Sequence, residues 1–558
     1  MLKKVILCLL APLLIGGCAS GKGVDVQKTQ SLKEAYADYF LIGNIASGVD
    51  MDDLRYDILT THHNIVTAEN AMKPQYLQGT KGVFTFGDAD AIVDKALSRG
   101  LKVHGHTLAW HQQSPAWMNS EGVSRETAVS NLITHAKTVV EHFKGRVVSW
   151  DVLNEAISDN PPNSEDWRTG LRQSPWFKAI GADYVEIVFK AAREADPKAK
   201  LYYNDYNLDN PSKAAAVYNM VKDINERNPD VDGRPLIDGI GMQGHYNSRT
   251  NPANVENSLQ RFISLGVEVS ITELDVQYGE AGKQTDEQKI AQGLVYAELF
   301  NVFKKYAEYI GRVTMWGIDD SSSWRKQACP TMFNDTLRPK PAFFGALDTD
   351  KFIAENKAFI EEIREKEKKE AKQADAVYGT PSGLADVSAW SQAPAIPIDN
   401  YLMAWQGAYG AARVLWDESS LYVLVNVNNA EMNKANLNAY EQDSVEIFID
   451  ENNGKTPYYE KDDAQYRVNF DNEATFNPSS AAEGFESWTS VSERSYTVSL
   501  KIPFRTITAK EGGVIGFDAQ INGASAQGAR QSVAIWNDLS GGSYQDPSGL
   551  GVLKLTKR

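Results

Sequence analysis

Eight short apolar runs of β type alternate along the first two thirds of the chain with longer segments in which apolar residues recur at helical spacing. Strand and helix thus alternate eight times over about 330 residues, which favours an α/β fold of the (β/α)8 TIM-barrel type. A doubly wound parallel sheet is the alternative arrangement of the same elements. The predicted strands are Tyr39–Ile45, Asn64–Thr67, Lys102–Gly105, Val147–Asp151, Ala199–Asn204, Ile237–Met242, Glu268–Thr272 and Arg312–Trp316.

The pattern changes after a run of Glu and Lys around Glu361–Lys372, which we interpret as the last barrel helix continuing into a linker. From Ala376 onward, short alternating runs are separated by Gly, Asn and Pro, as is typical of an all-β sandwich of roughly 180 residues. We therefore predict a barrel domain over residues 31–372 and a sandwich over residues 376–558. The predicted sandwich strands are Ala412–Leu415, Leu421–Val427, Ser444–Ile449, Tyr466–Phe470, Tyr496–Ile502, Val514–Ile521 and Ser532–Ile535.

The first residues have the layout of a secretory signal. Two lysines precede an apolar run, Val5–Ile15, which is too short to cross a bilayer of roughly 30 Å as a helix. Two glycines and then Cys18 follow, and this resembles the bacterial lipoprotein signal, in which residues 1–17 are removed, Cys18 carries lipid and residues 18–30 form a tether. We expect an extracytoplasmic chain that is lipid-anchored to the cell envelope, in the outer membrane because Ala19 follows the cysteine. Simple secretion is the alternative.

Composition narrows the range of partners. The 558 residues are 42% hydrophobic, and 73 acidic against 57 basic residues give a formal net charge of −16. Such a chain is globular and repels polyanions, so we expect no nucleic acid as a partner and membrane contact only through the lipid anchor. Of the three cysteines, Cys8 leaves with the signal and Cys18 carries lipid. Cys329 is then alone, and neither a disulfide nor a zinc cluster is expected.

Polar side chains follow the predicted strands at the points where they end. In a barrel of this type the carboxyl ends of the strands form the active site. Carboxylates, imidazoles, amides and indoles meet there without a phosphate-binding glycine loop, which indicates a site for a neutral polyhydroxylated ligand, a sugar. Glycoside hydrolysis needs two carboxylates, and Glu155 and Glu273 end strands four and seven. A separation of about 5 to 5.5 Å would make the enzyme retaining. For either residue alone, a rim salt bridge is the alternative.

Two segments, Trp150–Ala156 (WDVLNEA) and Ile271–Asp275 (ITELD), resemble the signatures of family 10 glycoside hydrolases, the endo-β-1,4-xylanases. Gly105–His111, Gly241–His245 and Thr314–Gly317 match that family as well. The resemblance extends over residues 31–366. It implies a retaining endo-β-1,4-xylanase that hydrolyses xylan and xylo-oligosaccharides by double displacement, with no cofactor for catalysis.

By this resemblance Glu155 is the acid/base and Glu273 the nucleophile. Asn154 would bind the 2-hydroxyl of the reacting sugar, His245 would hydrogen-bond Glu273, and Asp275 would orient that histidine. Donors to a carboxylate keep it ionised, whereas an unassisted, partly buried neighbour stays protonated. The side chains implied in the glycone subsites are Glu69, Asn70, Lys73, His106, Trp110, Gln243, Trp316 and Trp324.

Two other functions remain open for the barrel. An endoglucanase or transglycosylase would differ only in pocket shape, and Trp316 and Trp324 are bulky enough to crowd the extra hydroxymethyl group of glucose. One such group changes the discrimination between two substrates by only about 1 to 3 kcal/mol, so minor activity on glucans would be consistent with this function. A surface lipoprotein that captures glycans without cutting them is the other alternative. The presence of both Glu155 and Glu273 argues against it.

The C-terminal segments Tyr440–Asp450, Tyr466–Asn469 and Tyr544–Ser548 resemble the family 9 carbohydrate-binding modules. The resemblance implies that a sugar is held between two aromatic rings, with polar side chains at the ring edges. The residues at these places are Tyr440 and Tyr544 for the rings, and Glu446, Arg467 and Gln520 for the polar lining.

The same family often holds structural calcium. Asp450, Asn452 and Asn453 lie together in a predicted turn and could contribute oxygen ligands. An ordinary Asx-rich turn is the alternative interpretation.

Overall fold

The computed structural model describes residues 30–557 apart from 49–53, 121, 160, 162, 229–232, 249, 251, 403–406, 430–431, 527, 529 and 539–540, with the backbone alone over 360–370. The predicted signal and Cys18 lie outside the described residues. Within the described part of the chain, every helix is too short or too polar to span a bilayer.

A closed parallel barrel forms the N-terminal part of the molecule. Its sheet contains β1 (Leu41–Ala46), β2 (Ile65–Ala68), β3 (Lys102–Trp110), β4 (Ser149–Asn154), β5 (Lys200–Asp205), β6 (Gly239–Met242), β7 (His245–Asn247), β8 (Glu268–Gln277) and β9 (Ile310–Met315). The ring closes because β1 pairs with both β2 and β9 while β6 pairs with β8. The predicted barrel is confirmed, and the doubly wound alternative is wrong because that fold has open edges.

The short strand β7 lies outside the ring and pairs only with β8. It consists of His, Tyr and Asn, a sequence with no apolar alternation, and it was not predicted as a strand. Its pairing places His245 opposite Asp275.

Helices connect the strands and share the barrel's hydrophobic core. For example, Ser124 caps the 19-residue helix Arg125–Phe143 by accepting the N–H of Thr127, and Leu132, Ala136 and Val140 form its buried stripe at four-residue spacing. The helices are α1 (Leu32–Ala35), α2 (Arg55–His62), α3 (Pro74–Leu77), α4 (Gly87–Ser98), α5 (Ala116–Asn119), α6 (Arg125–Phe143), α7 (Pro175–Ile180), α8 (Tyr184–Ala195), α9 (Pro211–Arg227), α10 (Pro252–Ile263), α11 (Asp286–Lys305), α12 (Pro341–Leu347) and α13 (Thr349–Glu370).

A β-rich domain follows α13. Its strands are β10 (Gln373–Tyr378), β11 (Ile396–Ile398), β12 (Asn400–Tyr401), β13 (Tyr409–Trp416), β14 (Ser420–Asn428), β15 (Ser444–Asp450), β16 (Asp463–Asn469), β17 (Ala474–Asn477), β18 (Glu486–Ser492), β19 (Ser495–Pro503), β20 (Val514–Ala524), β21 (Arg530–Ile535) and β22 (Gly551–Thr556). Alternate residues of β14 and β15 meet in one core, so two halves of the sheet pack face to face.

The first strand of this domain begins upstream of the predicted start at 376. Gln373 pairs with Val552 of β22, and the pairing continues to Val377 and Thr556. Residues 373–375 are therefore part of the sheet. The sequence Gln-Ala-Asp-Ala lacks the apolar alternation that marks a strand, which is why this position was not found from the pattern.

Candidate active site

Glu155 directly follows β4 at the carboxyl end of the barrel. Its backbone is left-handed, with φ of 57°, and turns the chain away from the strand. The residue as a whole is 9% exposed. Its Oε2 accepts a hydrogen bond from Trp110 Nε1 at 2.8 Å, and its Oε1 accepts from Gln243 Nε2 at 3.0 Å and Asn154 Nδ2 at 3.2 Å. Three neutral donors thus fix the carboxyl group.

Glu273 lies on β8 and is 4% exposed. Its Oε1 accepts a hydrogen bond from Asn204 Nδ2 at 2.7 Å, and its Oε2 accepts one from His245 Nε2 at 3.1 Å. The other imidazole nitrogen, Nδ1, is 3.1 Å from Asp275 Oδ2. Burial by itself lowers the pKa of His245, but the carboxylates of Asp275 and Glu273 raise it to about 9. The imidazole is therefore cationic at neutral pH.

The cationic imidazole distinguishes the two carboxyl groups. Burial by itself raises the pKa of Glu273, but the hydrogen bond from His245 and the positive charge of the nearby histidines outweigh it, and the pKa is lowered. The expectation that Glu155 is unassisted is wrong, because it accepts three hydrogen bonds. The contrast between the residues lies in the charge of their donors.

Two amide side chains connect these carboxyl groups. Asn204 on β5 is fully buried and donates to Asn154 Oδ1 at 2.9 Å as well as to Glu273. Gln243 donates to Asn154 Oδ1 at 3.2 Å as well as to Glu155. Asn204 was not among the predicted site residues, although its place at the end of strand five was a usable signal.

A glycine on β6 makes room for this amide bridge. A Cβ atom at Gly241 would lie 2.3 Å from Asn204 Oδ1 and 2.8 Å from the Thr272 methyl group. Thr272 also holds Asn204, because its hydroxyl donates to Asn204 Oδ1 at 2.6 Å. Any side chain at position 241 would therefore displace the amide that contacts Glu273.

Lys73 lies in the cleft that contains the two carboxyl groups, close enough for their charges to act on it. It is buried, its Nζ donates to Asn70 Oδ1 at 3.0 Å, and it lies 5.2 Å from the centre of the Trp110 ring. Burial lowers the pKa of Lys73, and the negative charges of Glu273, Glu69 and Glu155 oppose this only in part.

Aromatic rings form one wall of the cleft. Trp316 is buried, with His106 edge-on at 5.4 Å and His245 edge-on at 6.5 Å between ring centres. Trp324 donates from Nε1 to Asp275 Oδ2 at 2.9 Å, and its ring centre is 4.9 Å from that of His245. Because Trp324 is 56% exposed, it forms the open flank of the wall. The predicted site residues with the contacts described above thus lie near the two carboxyl groups, and Glu69 lies close enough to Lys73 for its negative charge to act on that amine.

Residues 31–349 match the family model of glycosyl hydrolase family 10. The chain belongs to glycosyl hydrolase family 10. Its residues 383–558 match a second model, described as carbohydrate family 9 binding domain-like.

Several curated proteins are similar in sequence to this family 10 chain. It is 31% identical to endo-1,4-beta-xylanase A of Thermoanaerobacterium saccharolyticum, over 94% of this chain and 59% of the relative. It is 38% identical to the beta-1,4-xylanase of Dictyoglomus thermophilum, over 58% of this chain and 91% of the relative. The chain spans 59% to 66% of the length of four such relatives.

The family 10 barrel also has solved structural neighbours. One is an intracellular xylanase from Thermoanaerobacterium saccharolyticum, as a glutamate-to-alanine mutant in complex with xylotetraose, with 37% identity, a TM-score of 0.53 and coverage of 57% of this chain and 99% of that chain. Xylanase B from Clostridium stercorarium has 34% identity, a TM-score of 0.53 and coverage of 57% and 100%.

In the C-terminal domain, Glu446 lies at the centre of a polar row. Arg467 on β16 and Gln520 on β20 are its cross-strand partners on either side. Glu446 is buried and accepts hydrogen bonds from Arg467 Nε at 2.8 Å and Asn522 Nδ2 at 2.6 Å. Burial by itself raises the pKa of Glu446, but the positive charge of Arg467 outweighs it and lowers the pKa. A fixed anion thus lies between the two predicted polar partners.

Each of the two predicted ring residues, Tyr440 and Tyr544, has a neighbour on a strand close to this row. The Arg530 guanidinium on β21 is 5.5 Å from the centre of the Tyr440 ring. The Tyr544 carbonyl accepts from Asn477 Nδ2 on β17 at 3.3 Å, and Tyr544 is 48% exposed. β17 pairs with β16 and β21 pairs with β20, which are the two strands that carry the polar partners of Glu446.

The predicted calcium ligands lie only partly together. Asp450, Asp462 and Asp463 are buried, and one carboxylate oxygen of each lies within 4.8 Å of the others. Among the described residues, Asp462 Oδ2, Asp463 Oδ1 and Asn453 Oδ1 are buried without a hydrogen-bond partner. Asn452, by contrast, is exposed. Three neighbouring carboxylates are hard ligands of the kind that calcium prefers, and the buried Asn453 amide oxygen lies in the loop that follows Asp450.

Proposed function

We propose that this chain is a retaining endo-β-1,4-xylanase that hydrolyses internal bonds of xylan by double displacement. The observation that carries the proposal is the difference between the two buried carboxyl groups. Glu273 contacts the cationic His245, whereas all three donors to Glu155 are neutral. A carboxylate beside a cation stays ionised and can attack, and a carboxyl group with neutral partners can carry the proton that the leaving oxygen needs.

The reaction then takes two steps. In the first, a Glu273 oxygen bonds to C1 of the sugar, the bond from C1 to the glycosidic oxygen breaks, and Glu155 gives its proton to that oxygen. In the second, Glu155 takes a proton from water, the water oxygen bonds to C1, and the bond to Glu273 breaks with its electron pair returning to the carboxylate. Two inversions leave the configuration at C1 unchanged.

The aromatic wall supports xylan as the substrate. Trp316 is buried and packs edge-on against His106 and His245, so moving it aside for a bulky ring substituent would disturb both contacts. Xylose lacks the hydroxymethyl group that would meet such a wall. Relatives and solved neighbours that are named xylanases support the same choice.

Product analysis tests this function. We expect glucuronoxylan and arabinoxylan to release xylo-oligosaccharides of several lengths, with the β-anomer appearing first by NMR, and cellulose to be cut much more slowly. Release of a single short product from chain ends, initial formation of the α-anomer, or faster hydrolysis of cellulose would contradict the proposal.

We also propose that the C-terminal domain binds xylo- or cello-oligosaccharides between Tyr440 and Tyr544. At ~25 cal/mol per Å² of apolar surface, each ring contributes about 1 to 2 kcal/mol. Replacing both with Ala should therefore weaken binding to insoluble xylan by roughly 30-fold or more. The kcat/KM on soluble xylotetraose should not change. Tyr409→Ala is the matched control, because Tyr409 and Tyr544 are each 48% exposed. Equal binding of the double variant and this control would contradict the role.

Calcium is proposed as a structural ion of this domain, held by Asp450, Asp462, Asp463 and Asn453. An ion that binds only the folded state at about 100 times its Kd adds about 2.7 kcal/mol of stability. We expect EDTA to lower the Tm of the domain by roughly 5 to 10 °C in calorimetry and calcium to restore it. Asp462→Asn should abolish the calcium response, whereas Asp399→Asn, at an exposed carboxylate, should retain it. A Tm that changes neither with EDTA nor with added calcium would refute the site.

Attachment to the cell envelope through a lipid on Cys18 is proposed as well, most simply in the outer membrane. The support is the apolar run that ends in two glycines and this cysteine. Mass spectrometry of the membrane fraction should find acyl groups on Cys18 in the wild-type protein and none in Cys18→Ser. Recovery of the wild-type protein in the medium without acyl mass would favour simple secretion.

A further inference from the structure

A cluster of buried polar side chains from β5 and α9 lies behind Glu155. The Tyr203 hydroxyl accepts the backbone N–H groups of Ala156 and Ile157, each at 3.0 Å, and donates to Asp205 Oδ2. The other oxygen of Asp205 is 2.8 Å from Lys213 Nζ. The side chains of Tyr203, Asp205 and Lys213 are fully buried. None of them contacts the carboxyl group of Glu155 in the described contacts.

The two N–H groups belong to the residues that directly follow Glu155. A non-glycine residue with positive φ is in a sparsely populated conformation, so the surrounding structure must hold it. Three contacts do so: the Glu155 N–H donates to the Asn204 carbonyl at 2.9 Å, the Glu155 carbonyl accepts from Arg172 Nε at 3.2 Å, and Tyr203 binds the next two N–H groups.

The Tyr203 hydroxyl has one available orientation. It accepts twice and donates once, which uses its whole hydrogen-bonding capacity. Burial and the negative charge of Asp205 raise the pKa of Tyr203 well above its usual value, so the phenol keeps its proton. Lys213 compensates the buried charge of Asp205, and removing either partner would leave an unpaired charge in the interior.

We propose that Tyr203, held by the Asp205–Lys213 ion pair, is a positioning residue for the acid/base. It fixes the backbone turn at Glu155 and thereby directs the carboxyl group toward the glycosidic oxygen. The inference rests on the proposed role of Glu155. By this inference, buried residues behind β4 and β5 contribute to proton donation. They contribute neither to sugar binding nor to the attack by the nucleophile.

Tyr203→Phe tests this, because it removes only the hydroxyl oxygen. A misplacement of about 1 Å can cost about 100-fold, so we expect a loss of that order in kcat/KM on phenyl xylobioside, whose poor leaving group needs the acid. On dinitrophenyl xylobioside, whose leaving group needs no proton, kcat/KM should change by less than about threefold. This second substrate reports an intact fold, nucleophile and sugar site. A purely structural role would lower both values together.

Tyr202→Phe is the matched control. Tyr202 is the preceding residue and is also buried, but its hydroxyl donates to Glu268 at the opposite end of β8 from the cleft. This variant should keep the ratio of the two kcat/KM values. Asp205→Asn, which keeps the side-chain size and removes the charge, should shift the ratio in the same direction as Tyr203→Phe.

Two results would overturn the inference, and they are distinguishable. Equal kcat/KM losses on both substrates, or no loss on either, in folded Tyr203→Phe would refute the positioning role alone. If Glu155→Ala itself shows no dependence on the leaving group, then the acid/base assignment fails, and the positioning role fails with it.

Discussion

Glu273→Ala is expected to lower kcat on xylan by on the order of 10⁵-fold or more, the scale seen when a covalent nucleophile is removed. The reason is that no other group can form the bond to C1: the remaining acid, Glu155, is held on a different strand and hydrogen-bonds to Trp110 and Gln243. The residual space is bordered by His245, whose Nε2 loses its carboxylate partner in this variant and can donate to a small anion.

Azide should therefore restore turnover of dinitrophenyl xylobioside by this variant. Azide bonds to C1 from the side vacated by Glu273 while the dinitrophenolate leaves, so one inversion occurs and the product is the α-glycosyl azide. Glu268→Ala is the control, since Glu268 lies on the same strand but contacts Tyr202 and Lys200 instead. Product NMR decides the outcome, and a β-glycosyl azide from Glu273→Ala would show that the two roles are exchanged.

The second large effect is expected for Glu155→Ala. Loss of a general acid lowers the rate by about 10² to 10⁴-fold, and this should be seen in kcat/KM on xylan. The first step on dinitrophenyl xylobioside should persist. It should give a burst of dinitrophenolate, because hydrolysis of the covalent intermediate by water without a general base then limits the rate. Azide should attack that intermediate and give the β-glycosyl azide, the product of two inversions.

The dependence on the leaving group gives an independent measurement for the same variant. The loss of kcat/KM in Glu155→Ala should be large on xylan and small on dinitrophenyl xylobioside, because only the leaving oxygen of xylan needs a proton. Glu141→Ala, at an exposed glutamate of α6, serves as the control and should keep the wild-type ratio of the two values. A loss of equal size on both substrates would argue that Glu155 acts only in packing.

Much of the fold could be predicted from the sequence because the barrel strands are buried on both sides and form continuous apolar runs. Strands without that property were missed. β18 is half exposed along its length, and β7 contains only His, Tyr and Asn. Such strands form because they pair with a neighbouring strand. The local sequence pattern contains no sign of that neighbour.

The candidate site was predicted to a similar extent and for a similar reason. Glu155 and Glu273 have chemistry of their own, so their positions at strand ends were informative. Asn204 acts only through the residues it connects, and its importance becomes visible once β4, β5 and β8 are side by side. The sequence alone could not show that Asp463 lies beside Asp450, because the two residues become neighbours only through the pairing of β15 with β16. The lipid anchor at Cys18 stays a prediction.

The pairing of β10 with β22 has a consequence for how such enzymes can be extended. The two strands are parallel, with Gln373 beside Val552 and Val377 beside Thr556. The polypeptide therefore enters the second domain at one end of this strand pair and leaves it at the other, about 17 to 20 Å farther on. A further unit fused after Thr556 would therefore begin at the opposite end of this strand pair from the segment that joins the domain to α13.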